Sequence, residues 1–360
     1  MFGKIKVLIV DDSGLTQEIL KKILEKDLSI QVIGMAENGE RAVALAQKLK
    51  PDVITMDVNM PVMDGFKATE QIMAYCPIPI LILSSIIDKE GLYTTFNALA
   101  AGAVDVMEKP SGMENKVWNE IGDALVQKVK TVSKVKVITH VRGKVTAILK
   151  HTESVSLPKP NKCEIIGIGA STGGPSVVMQ ILKNITSNNT LGILVIQHMA
   201  SGFINGFVDW LSDACEIKVK LAKDGDKIEK GQVLVAPDGF HAIVRNGKTI
   251  GLISGEKVND VKPSVDVLFN SVAEVYGKSA VGVLLTGMGA DGAEGLKHIK
   301  DKGGITIAQS EKSCAVFGMP KAAIEKGAVD KVLSVEDIIR TLKGIINNNN
   351  NNNDQQAICS

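Results

Sequence analysis

Five polar residues in the first third of the chain follow apolar stretches that have the character of buried strands. Asp11 and Asp12 come directly after the first of these stretches, and Asp57 follows a later one. Ser84 and Lys109 lie at the ends of the next two. Because the carboxyl ends of strands in an open parallel sheet border one crevice, we expect the five side chains to meet there.

Three carboxylates in one crevice repel one another unless a cation neutralises them. Hard oxygen ligands suit Mg²⁺, which keeps several waters and favours a phosphoryl partner. The hydroxyl of Ser84 and the ammonium of Lys109 are suited to hold phosphoryl oxygens. The chemistry indicated is phosphoryl transfer to a carboxylate, with Asp57 as nucleophile and Asp11, Asp12 and Asp57 around the metal. Capping of the following helices would explain any one acid but not all five positions.

A second set of residues has the types needed for nucleophilic catalysis. Ser171 lies in a Gly-rich turn between a strand and a helix that Pro175 opens. His198 ends the neighbouring predicted strand, and Asp291 follows a third. A histidine can deprotonate a serine, and an aspartate can fix the histidine tautomer. Each residue alone has an ordinary structural explanation as a helix cap, a core histidine or a turn residue, but together they favour a catalytic triad.

Two other functions compete for the second half of the chain. The glycines at 167, 169, 173 and 174 fit a dinucleotide fingerprint loosely. That fingerprint needs an acid after the next strand, where this chain has Gln197-His198-Met199, so nicotinamide binding is disfavoured. A DNA-binding output would need a concentrated basic face, which residues 163–345 do not offer. We therefore expect no nucleic-acid partner.

The apolar pattern also predicts the elements that position these residues. Before residue 129, five strand-like runs alternate with five amphipathic helical stretches, which predicts a doubly wound parallel sheet covered on both faces. The second half repeats the alternation around strands at 164–168, 191–196, 281–286 and 304–308. Between them lies a Gly-rich β-type stretch at 219–253. We therefore predict an α/β chain whose second domain has a mainly parallel sheet.

The charge of the chain is balanced only as an average. Its 360 residues suit two domains and carry 41 basic and 40 acidic side chains. Residues 1–125 have 12 basic and 18 acidic side chains, residues 126–162 have 9 and 1, and residues 163–360 have 20 and 21. The net charges are therefore −6, +8 and −1. The basic region predicts a linker, either a solvated connector or a segment docked electrostatically on the acidic first domain.

The ends of the chain and its cysteines indicate a cytoplasmic protein. The first apolar stretch is short and ends in two acids, which is unlike a signal peptide, and no apolar run reaches the ~18–20 residues of a bilayer span. Five cysteines lie far apart without metal-ligand spacing, as is typical of reduced thiols. After a last predicted helix at 335–344, the Asn-rich residues 346–360 predict a disordered tail.

Residues 4–125 resemble the flavodoxin-like receiver domain of two-component response regulators. The matching stretches are Val-Asp-Asp-Ser (10–13), Met-Asp-Val-Asn-Met-Pro-Val-Met-Asp-Gly (56–65) and Glu-Lys-Pro (108–110). The resemblance implies that Asp57 is phosphorylated, that Asp11 and Asp12 help hold Mg²⁺, and that Ser84 and Lys109 contact the phosphoryl group. Val106 departs from the aromatic residue that many receivers carry three positions before the lysine, so an aromatic switch is not expected.

Residues 163–345 resemble the catalytic domain of the chemotaxis protein-glutamate methylesterase family, whose members also deamidate receptor glutamines. The resemblance implies that Ser171 is the nucleophile, His198 the base and Asp291 its orienter. It also implies that Thr172 lines the site and that the backbone N–H of Met288 helps form the oxyanion hole. His241 matches a family position, and we expect it to be structural. The matching runs cover residues 169–175, 197–199, 235–241, 263–269, 285–292 and 317–323.

Taken together, the two resemblances imply a phosphorylation-activated hydrolase of chemotaxis adaptation. Its substrates would be glutamate methyl esters on the cytoplasmic helices of chemoreceptors, its phosphodonor a chemotaxis histidine kinase, and it would not itself be embedded in a membrane. The esterase would need no cofactor, whereas the receiver would need Mg²⁺. From the domain order we expect the receiver to cover the esterase crevice until Asp57 is phosphorylated.

Overall fold

The computed structural model describes residues 3–84, 89–109, 115–137, 163–186 and 188–358. The chain divides into two compact units, Met1–Lys150 and His151–Ser360. In the described residues no helix is both long and apolar enough to cross a membrane. No disulfide links the cysteines at 76, 163, 215 and 314.

The first unit is a five-stranded sheet in which every neighbouring pair of strands is parallel. Its strand order is β2-β1-β3-β4-β5, which confirms the predicted doubly wound topology. The elements in chain order are β1 (Ile5–Val10), α1 (Gly14–Leu24), β2 (Ile30–Ala36), α2 (Gly39–Leu49), β3 (Val53–Asp57), α3 (Gly65–Tyr75), β4 (Ile80–Ser84), α4 (Lys89–Ala100), β5 (Asp105–Glu108) and α5 (Asn115–Val132).

Three helices of this unit begin with polar caps. The side chains of Ser13, Asn38 and Asp64 each accept a backbone N–H from the first turn of α1, α2 and α3. Such caps satisfy donors that a helix cannot satisfy itself. Because β1 and β3 pair in parallel, the residues that follow these two strands lie at one edge of the sheet.

Helix α5 extends further than the sequence predicted. The predicted linker begins at residue 126, but α5 continues to Val132, and Val126, Val129 and Val132 are buried on one of its faces. Because these valines recur every three residues, they form one apolar stripe that packs on the unit. The start of the predicted linker is therefore part of the first domain.

Two lysines of the basic region bind acids of the first domain. Lys128 Nζ lies 2.7 Å from Asp105 Oδ2, and Lys130 pairs with Asp27. Of the two alternatives for this region, electrostatic docking therefore applies to its helical start. The rest of the basic linker, residues 138–162, lies outside the described residues.

The second unit contains a seven-stranded sheet of order β14-β13-β12-β6-β7-β9-β8, parallel throughout, and an antiparallel pair β10-β11. This confirms the predicted mainly parallel sheet. Its elements are β6 (Ile165–Ala170), α6 (Gly174–Lys183), β7 (Gly192–Gln197), α7 (Phe203–Ala214), β8 (Lys218–Leu221), β9 (Gln232–Val235), β10 (His241–Arg245), β11 (Thr249–Ile253), α8 (Val265–Tyr276), β12 (Ala280–Leu284), α9 (Ala293–Asp301), β13 (Ile305–Gln309), α10 (Met319–Glu325), β14 (Lys331–Leu333) and α11 (Val335–Ile358).

Two glycines let the start of α8 approach the sheet closely. A Cβ at Gly169, in β6, would lie 2.4 Å from Val265 Cγ1, and one at Gly292 would lie 2.7 Å from the same atom. Such distances are too short for real carbon atoms, so only glycine fits at either position. The first residues of α8 are thereby held against the carboxyl ends of β6 and β12.

The Asn-rich end of the chain is helical where it is described. The sequence predicted a helix that ends at residue 344 and a disordered tail over 346–360, but α11 runs on to Ile358. Ile345 and Ile346 are buried, and Asn349 Nδ2 donates to Thr190 Oγ1 at 3.2 Å. The prediction was wrong because asparagine content indicates low helix propensity but not these contacts with the second unit.

Candidate active site and phosphoacceptor pocket

Ser171 occupies the turn between β6 and α6, and its backbone is bonded on both sides. Its N–H donates to Thr286 O at 3.0 Å, while its carbonyl accepts from Gly174 N and from Gln197 Nε2, both at 2.8 Å. Gly173 turns the chain with φ +77°, where a Cβ would also lie 2.5 Å from Ala315 Cβ. The serine is therefore held at the carboxyl edge of the sheet in a partly exposed position.

His198 follows β7 directly and lies beside Ser171 in the sheet. The strands pair Ala170 with Gln197, and the N–H of His198 extends this pairing by donating to Ala170 O at 2.9 Å. The histidine and the serine therefore occupy equivalent positions, one residue past the end of two neighbouring strands. The serine and the histidine predicted from the sequence meet at one edge of the sheet.

Asp291 completes this group from the loop after β12. Its Oδ2 lies 3.1 Å from His198 Nε2, although the ring N–H is not well aligned with the carboxylate. The side chain of His198 is 12% exposed and that of Asp291 4%. In a site without substrate, catalytic hydrogen bonds are commonly longer or less well aligned than in the complex.

The carboxylate of Asp291 is surrounded by donors. Oδ1 accepts from Ser264 Oγ at 2.7 Å and from Asn259 Nδ2 at 3.0 Å, and Oδ2 accepts from the backbone N–H of Val265 at 2.6 Å. Burial by itself would raise the pKa of Asp291, but the donors and His198 outweigh it, so the pKa is lowered. Asp291 is thus held as an anion facing the histidine.

The loop that carries Met288 passes directly against the serine. A Cβ on Gly287 would lie 2.7 Å from Ser171 Cβ. The N–H of Gly287 donates to Val316 O and its carbonyl accepts from Gly318 N, both at 3.0 Å. Met288 itself is 54% exposed. Thr172 is buried beside Ser171, where its carbonyl accepts from Thr286 Oγ1 at 2.9 Å.

The acidic cluster of the first unit assembles as predicted. The carboxylate oxygens of Asp11, Asp12 and Asp57 lie within 4.8 Å of one another, with Asp11 and Asp57 buried and Asp12 exposed. Lys109 Nζ lies 2.8 Å from Asp11 Oδ2 and 2.7 Å from Asp57 Oδ2. Three hard oxygen donors open to solvent on one side are a set that fits Mg²⁺.

The ionisation of this pocket reflects burial and pairing. Burial raises the pKa of Asp57, and the ammonium of Lys109 opposes that rise without cancelling it. Burial would lower the pKa of Lys109, but its hydrogen bonds to Asp11 and Asp57 outweigh it and raise the pKa. A buried carboxylate beside one cation is a group that a second cation would further stabilise.

Ser84 and Val106 occupy the neighbouring strands. Ser84, at the end of β4, is 1% exposed and accepts from Thr95 Oγ1 at 3.0 Å. Val106 is buried in β5, at 1% exposure. A small branched side chain that is already buried has no aromatic ring to move between exposed and buried positions.

This chain is similar to known proteins over most of its length. The family model for the CheB methylesterase matches residues 166–342, and the model for the response regulator receiver domain matches residues 7–117. A protein-glutamate methylesterase/protein-glutamine glutaminase 1 of Syntrophus aciditrophicus is 46% identical over 342 residues, which cover 94% of this chain and 97% of that protein. The chain belongs to the CheB methylesterase family.

This chain is also similar to a second CheB relative and to a solved structure. A protein of Methanococcus maripaludis with the same methylesterase/glutaminase name is 44% identical over 93% of this chain and 96% of its own length. The crystal structure of the Thermotoga maritima CheB methylesterase catalytic domain is 40% identical and covers 50% of this chain and 97% of that chain, with a TM-score of 0.49.

The residues that hold Asp291 in this chain were not predicted as site residues from the sequence. Ser264 is recognisable there only as a helix cap, and its Oγ does accept from Val267 N at 3.4 Å at the start of α8. The same hydroxyl donates to Asp291, a contact across 27 positions of sequence. Asn259 lies in an exposed turn and carries no sequence signal for its bond to Asp291.

His241 lies at the start of β10, 3% exposed, and uses both ring nitrogens within the fold. Its Nδ1 accepts from Ser264 N at 3.1 Å, and its Nε2 lies 2.9 Å from Glu256 O. These contacts agree with the structural role expected for this histidine. They also bind it to the backbone of Ser264, the same residue whose hydroxyl donates to Asp291.

Proposed function

We propose that this protein hydrolyses glutamate methyl esters on the cytoplasmic helices of chemoreceptors and deamidates glutamines at such sites. The observation that carries the proposal is the placement of His198 beside Ser171 with its Nε2 3.1 Å from Asp291 Oδ2. A nucleophile, a base and an orienting acid at one sheet edge are the parts that acyl transfer needs.

In the proposed reaction Ser171 Oγ attacks the ester carbonyl. Because Nε2 of His198 faces Asp291, the other ring nitrogen, Nδ1, takes the serine proton and then delivers it to the departing methoxide. Methanol leaves, the acyl group stays on the serine, and water activated by the same nitrogen releases the glutamate carboxylate. A glutamine amide would follow the same route and release ammonia in place of methanol.

The remaining site residues have supporting roles in this proposal. Asp291 fixes the tautomer of His198 and stabilises the imidazolium that forms when Ser171 loses its proton. The backbone N–H of Met288, next to Gly287, would donate to the carbonyl oxygen as it becomes negatively charged, and Thr172 would line the site. Each donor placed there is worth about 10²–10³ in rate.

The test is methanol release from methylated chemoreceptor by the full chain. Ser171→Ala is expected to abolish release, because no other group replaces the attacking oxygen. Ser212→Ala, at an exposed position of α7, is the matched control and is expected to keep the wild-type rate. Undiminished release by Ser171→Ala would rule out the triad.

We further propose that phosphorylation of Asp57 activates the esterase. Asp57 would attack the phosphorus of a phosphohistidine on a chemotaxis histidine kinase, the P–N bond would break and release the kinase histidine, and Lys109 and Ser84 would bind the oxygens of the transferred phosphoryl group. Asp11, Asp12 and Asp57 would hold Mg²⁺, which when bound neutralises charge on the phosphoryl oxygens. The proposal is supported by the assembled acidic cluster and by the order of the two domains in one chain.

A further inference from the structure

We propose that His241 is a positioning residue for Asp291: it fastens both ends of segment 256–264, and this segment supplies two of the donors that hold the Asp291 carboxylate. The inference deepens the proposed esterase function and rests on it. His241 would touch neither substrate nor the reacting atoms, and would act through Ser264 and Asn259.

The hydrogen bonds of His241 define its protonation. Nδ1 faces the backbone N–H of Ser264, which can only donate, so Nδ1 carries no proton. Nε2 faces the carbonyl of Glu256, which can only accept, so Nε2 carries the proton and donates. A neutral imidazole of this one tautomer therefore joins two points that are eight residues apart in the chain.

The segment between these two points reaches Asp291 twice. Ser264 Oγ and Asn259 Nδ2 both donate to Asp291 Oδ1, at 2.7 and 3.0 Å. Asn259 stands at a turn where Val258 and Val261 exchange backbone bonds, and it and Asp260 have φ angles of 53° and 62°. The conformation of this turn therefore determines the position of the Asn259 side chain. The turn in turn depends on how the two ends of segment 256–264 are held.

Burial alone does little to hold this segment in place. Residues 254–260 are all exposed, so apolar packing contributes little to their position. The bond from Lys262 Nζ to Gly255 O, at 3.0 Å, is itself exposed. The ring of His241 is the buried polar group that ties Glu256 and Ser264 together, and buried hydrogen bonds are costly to break. Loss of the ring should therefore loosen both donors to Asp291 at once.

The test compares three variants of the full chain in methanol release from methylated chemoreceptor. His241→Asn keeps an acceptor near the place of Nδ1, His241→Gln keeps a donor near the place of Nε2, and His241→Ala keeps neither. We expect His241→Ala to lower kcat by roughly tenfold or more with KM changed less than twofold, since a small misplacement of a catalytic group can cost up to about 10²-fold in rate. The Asn and Gln variants should each retain more of kcat than the Ala variant.

A double variant separates positioning from a merely structural effect. If His241 acts through Ser264, the combined variant His241→Ala with Ser264→Ala should lose much less than the product of the two single losses. The control is His298→Ala, a partly exposed histidine paired with Glu274, which should leave kcat unchanged. All rates are measured well below the midpoint of thermal unfolding, and if His241→Ala does not fold, the Asn and Gln variants carry the comparison.

Three outcomes would overturn the inference. The first is a kcat within twofold of the wild type in a folded His241→Ala variant or, if that variant does not fold, in both the Asn and the Gln variants. The second is a loss of kcat in the double variant that equals the product of the two single losses. The third is a kcat of the Asn and Gln variants that is no higher than that of a folded Ala variant. If Ser171→Ala is inactive while every His241 variant has normal kcat, the inference alone fails. If Ser171→Ala is fully active, the proposed function fails.

Discussion

Asp57 and Asp291 are both buried aspartates at the carboxyl edge of a parallel sheet, yet their surroundings differ. Asp57 is paired with the ammonium of Lys109 and accepts one backbone N–H, from Val58, at 2.8 Å. Asp291 faces a histidine and accepts several neutral donors. Burial raises the pKa of Asp57, whereas the donors lower that of Asp291.

The difference shows how similar sheet edges are adapted to two kinds of chemistry. A carboxylate that must attack phosphorus has to keep a lone pair that is not occupied by fixed donors, and its charge is best balanced by cations. A carboxylate that must orient a histidine is best immobilised, and hydrogen bonds to its oxygens do this. The topology places the acids, and the loops around them decide their roles.

The largest expected effect comes from removing the charge of the orienting acid. Asp291→Asn should lower kcat on the order of 10⁴-fold, because an amide at this place can favour the wrong tautomer of His198. Methanol release from methylated receptor measures it, with Asp301→Asn on the exposed face of α9 as control. A loss below tenfold would mean that Asp291 does not orient the base.

The corresponding change in the receiver should separate the two acids by function. Asp57→Asn should leave basal methanol release within about twofold of wild type but remove all stimulation by a small-molecule phosphodonor with Mg²⁺, because no carboxylate remains to accept the phosphoryl group. The measurement is the rate with and without phosphodonor, and Asp123→Asn, an exposed acid of α5, is the control. Stimulation that persists in Asp57→Asn would place the phosphoacceptor elsewhere.

The sequence predicted those site residues that short stretches of chain mark, but not those that only the fold brings together. Both acids, Ser171 and His198 could be predicted because strand ends and Gly-rich turns are written in short stretches of sequence. The bonds of Asn259 and Ser264 to Asp291 could not, because they depend on a turn and a helix start that only the fold brings to β12. Sequence periodicity contains no information about such contacts.

The predicted boundaries of the linker and of the C-terminal tail differ from the structure for the same reason, because they too depend on contacts that only the fold creates. Charge and composition predicted a linker from residue 126 and a disordered end from 346, since lysine and asparagine are typical of solvated segments. In the fold, Lys128 pairs with Asp105, and Asn349 bonds to Thr190. A helix can continue through polar residues when their side chains bind specific partners in the fold, even where the composition of the segment predicts that the helix ends.

A smaller effect is expected on the pKa of Asp291 when one of its hydrogen-bond donors is removed. The bonds that lower the pKa of Asp291 include the one from Ser264, so Ser264→Ala should raise this pKa toward the ordinary value of an aspartate. A group with a lowered pKa stays charged until the pH falls through that pKa, so Asp291 should become protonated at a higher pH in the variant than in the wild type. The other ionisable groups facing Asp291 are His198 and Asp266.

The measurement is the NMR titration of the Asp291 carboxyl group in wild type and Ser264→Ala. Ser271→Ala is the matched control, because Ser271 lies on the same helix and its hydroxyl accepts from Val244 N, away from Asp291. In this control Asp291 should titrate as in the wild type. A titration of Asp291 that is unmoved or shifted to lower pH in Ser264→Ala would show that this hydroxyl does not lower the pKa of Asp291.

The smallest effect concerns the surface pair that ties the end of α5 to the receiver. The hydrogen bond from Lys130, together with those from Ser29, lowers the pKa of Asp27 to about 2. Because the pair lies at the surface and is only partly buried, Lys130→Ala should reduce the free energy of unfolding by only about 0.2–1 kcal/mol at neutral pH. Lys134→Ala, one turn later and exposed, should leave it unchanged.

The stabilisation that Lys130 provides should depend on pH in one direction. A carboxyl whose pKa is lower in the folded than in the unfolded chain stabilises the fold above the unfolded value, near 3.9, and this contribution disappears as the pH falls towards 2. The difference between wild type and Lys130→Ala, measured by urea unfolding, should therefore shrink between about pH 4 and pH 2. A difference that is absent at neutral pH, or equal for Lys134→Ala, would mean that the lysines after residue 126 act only as part of a solvated connector.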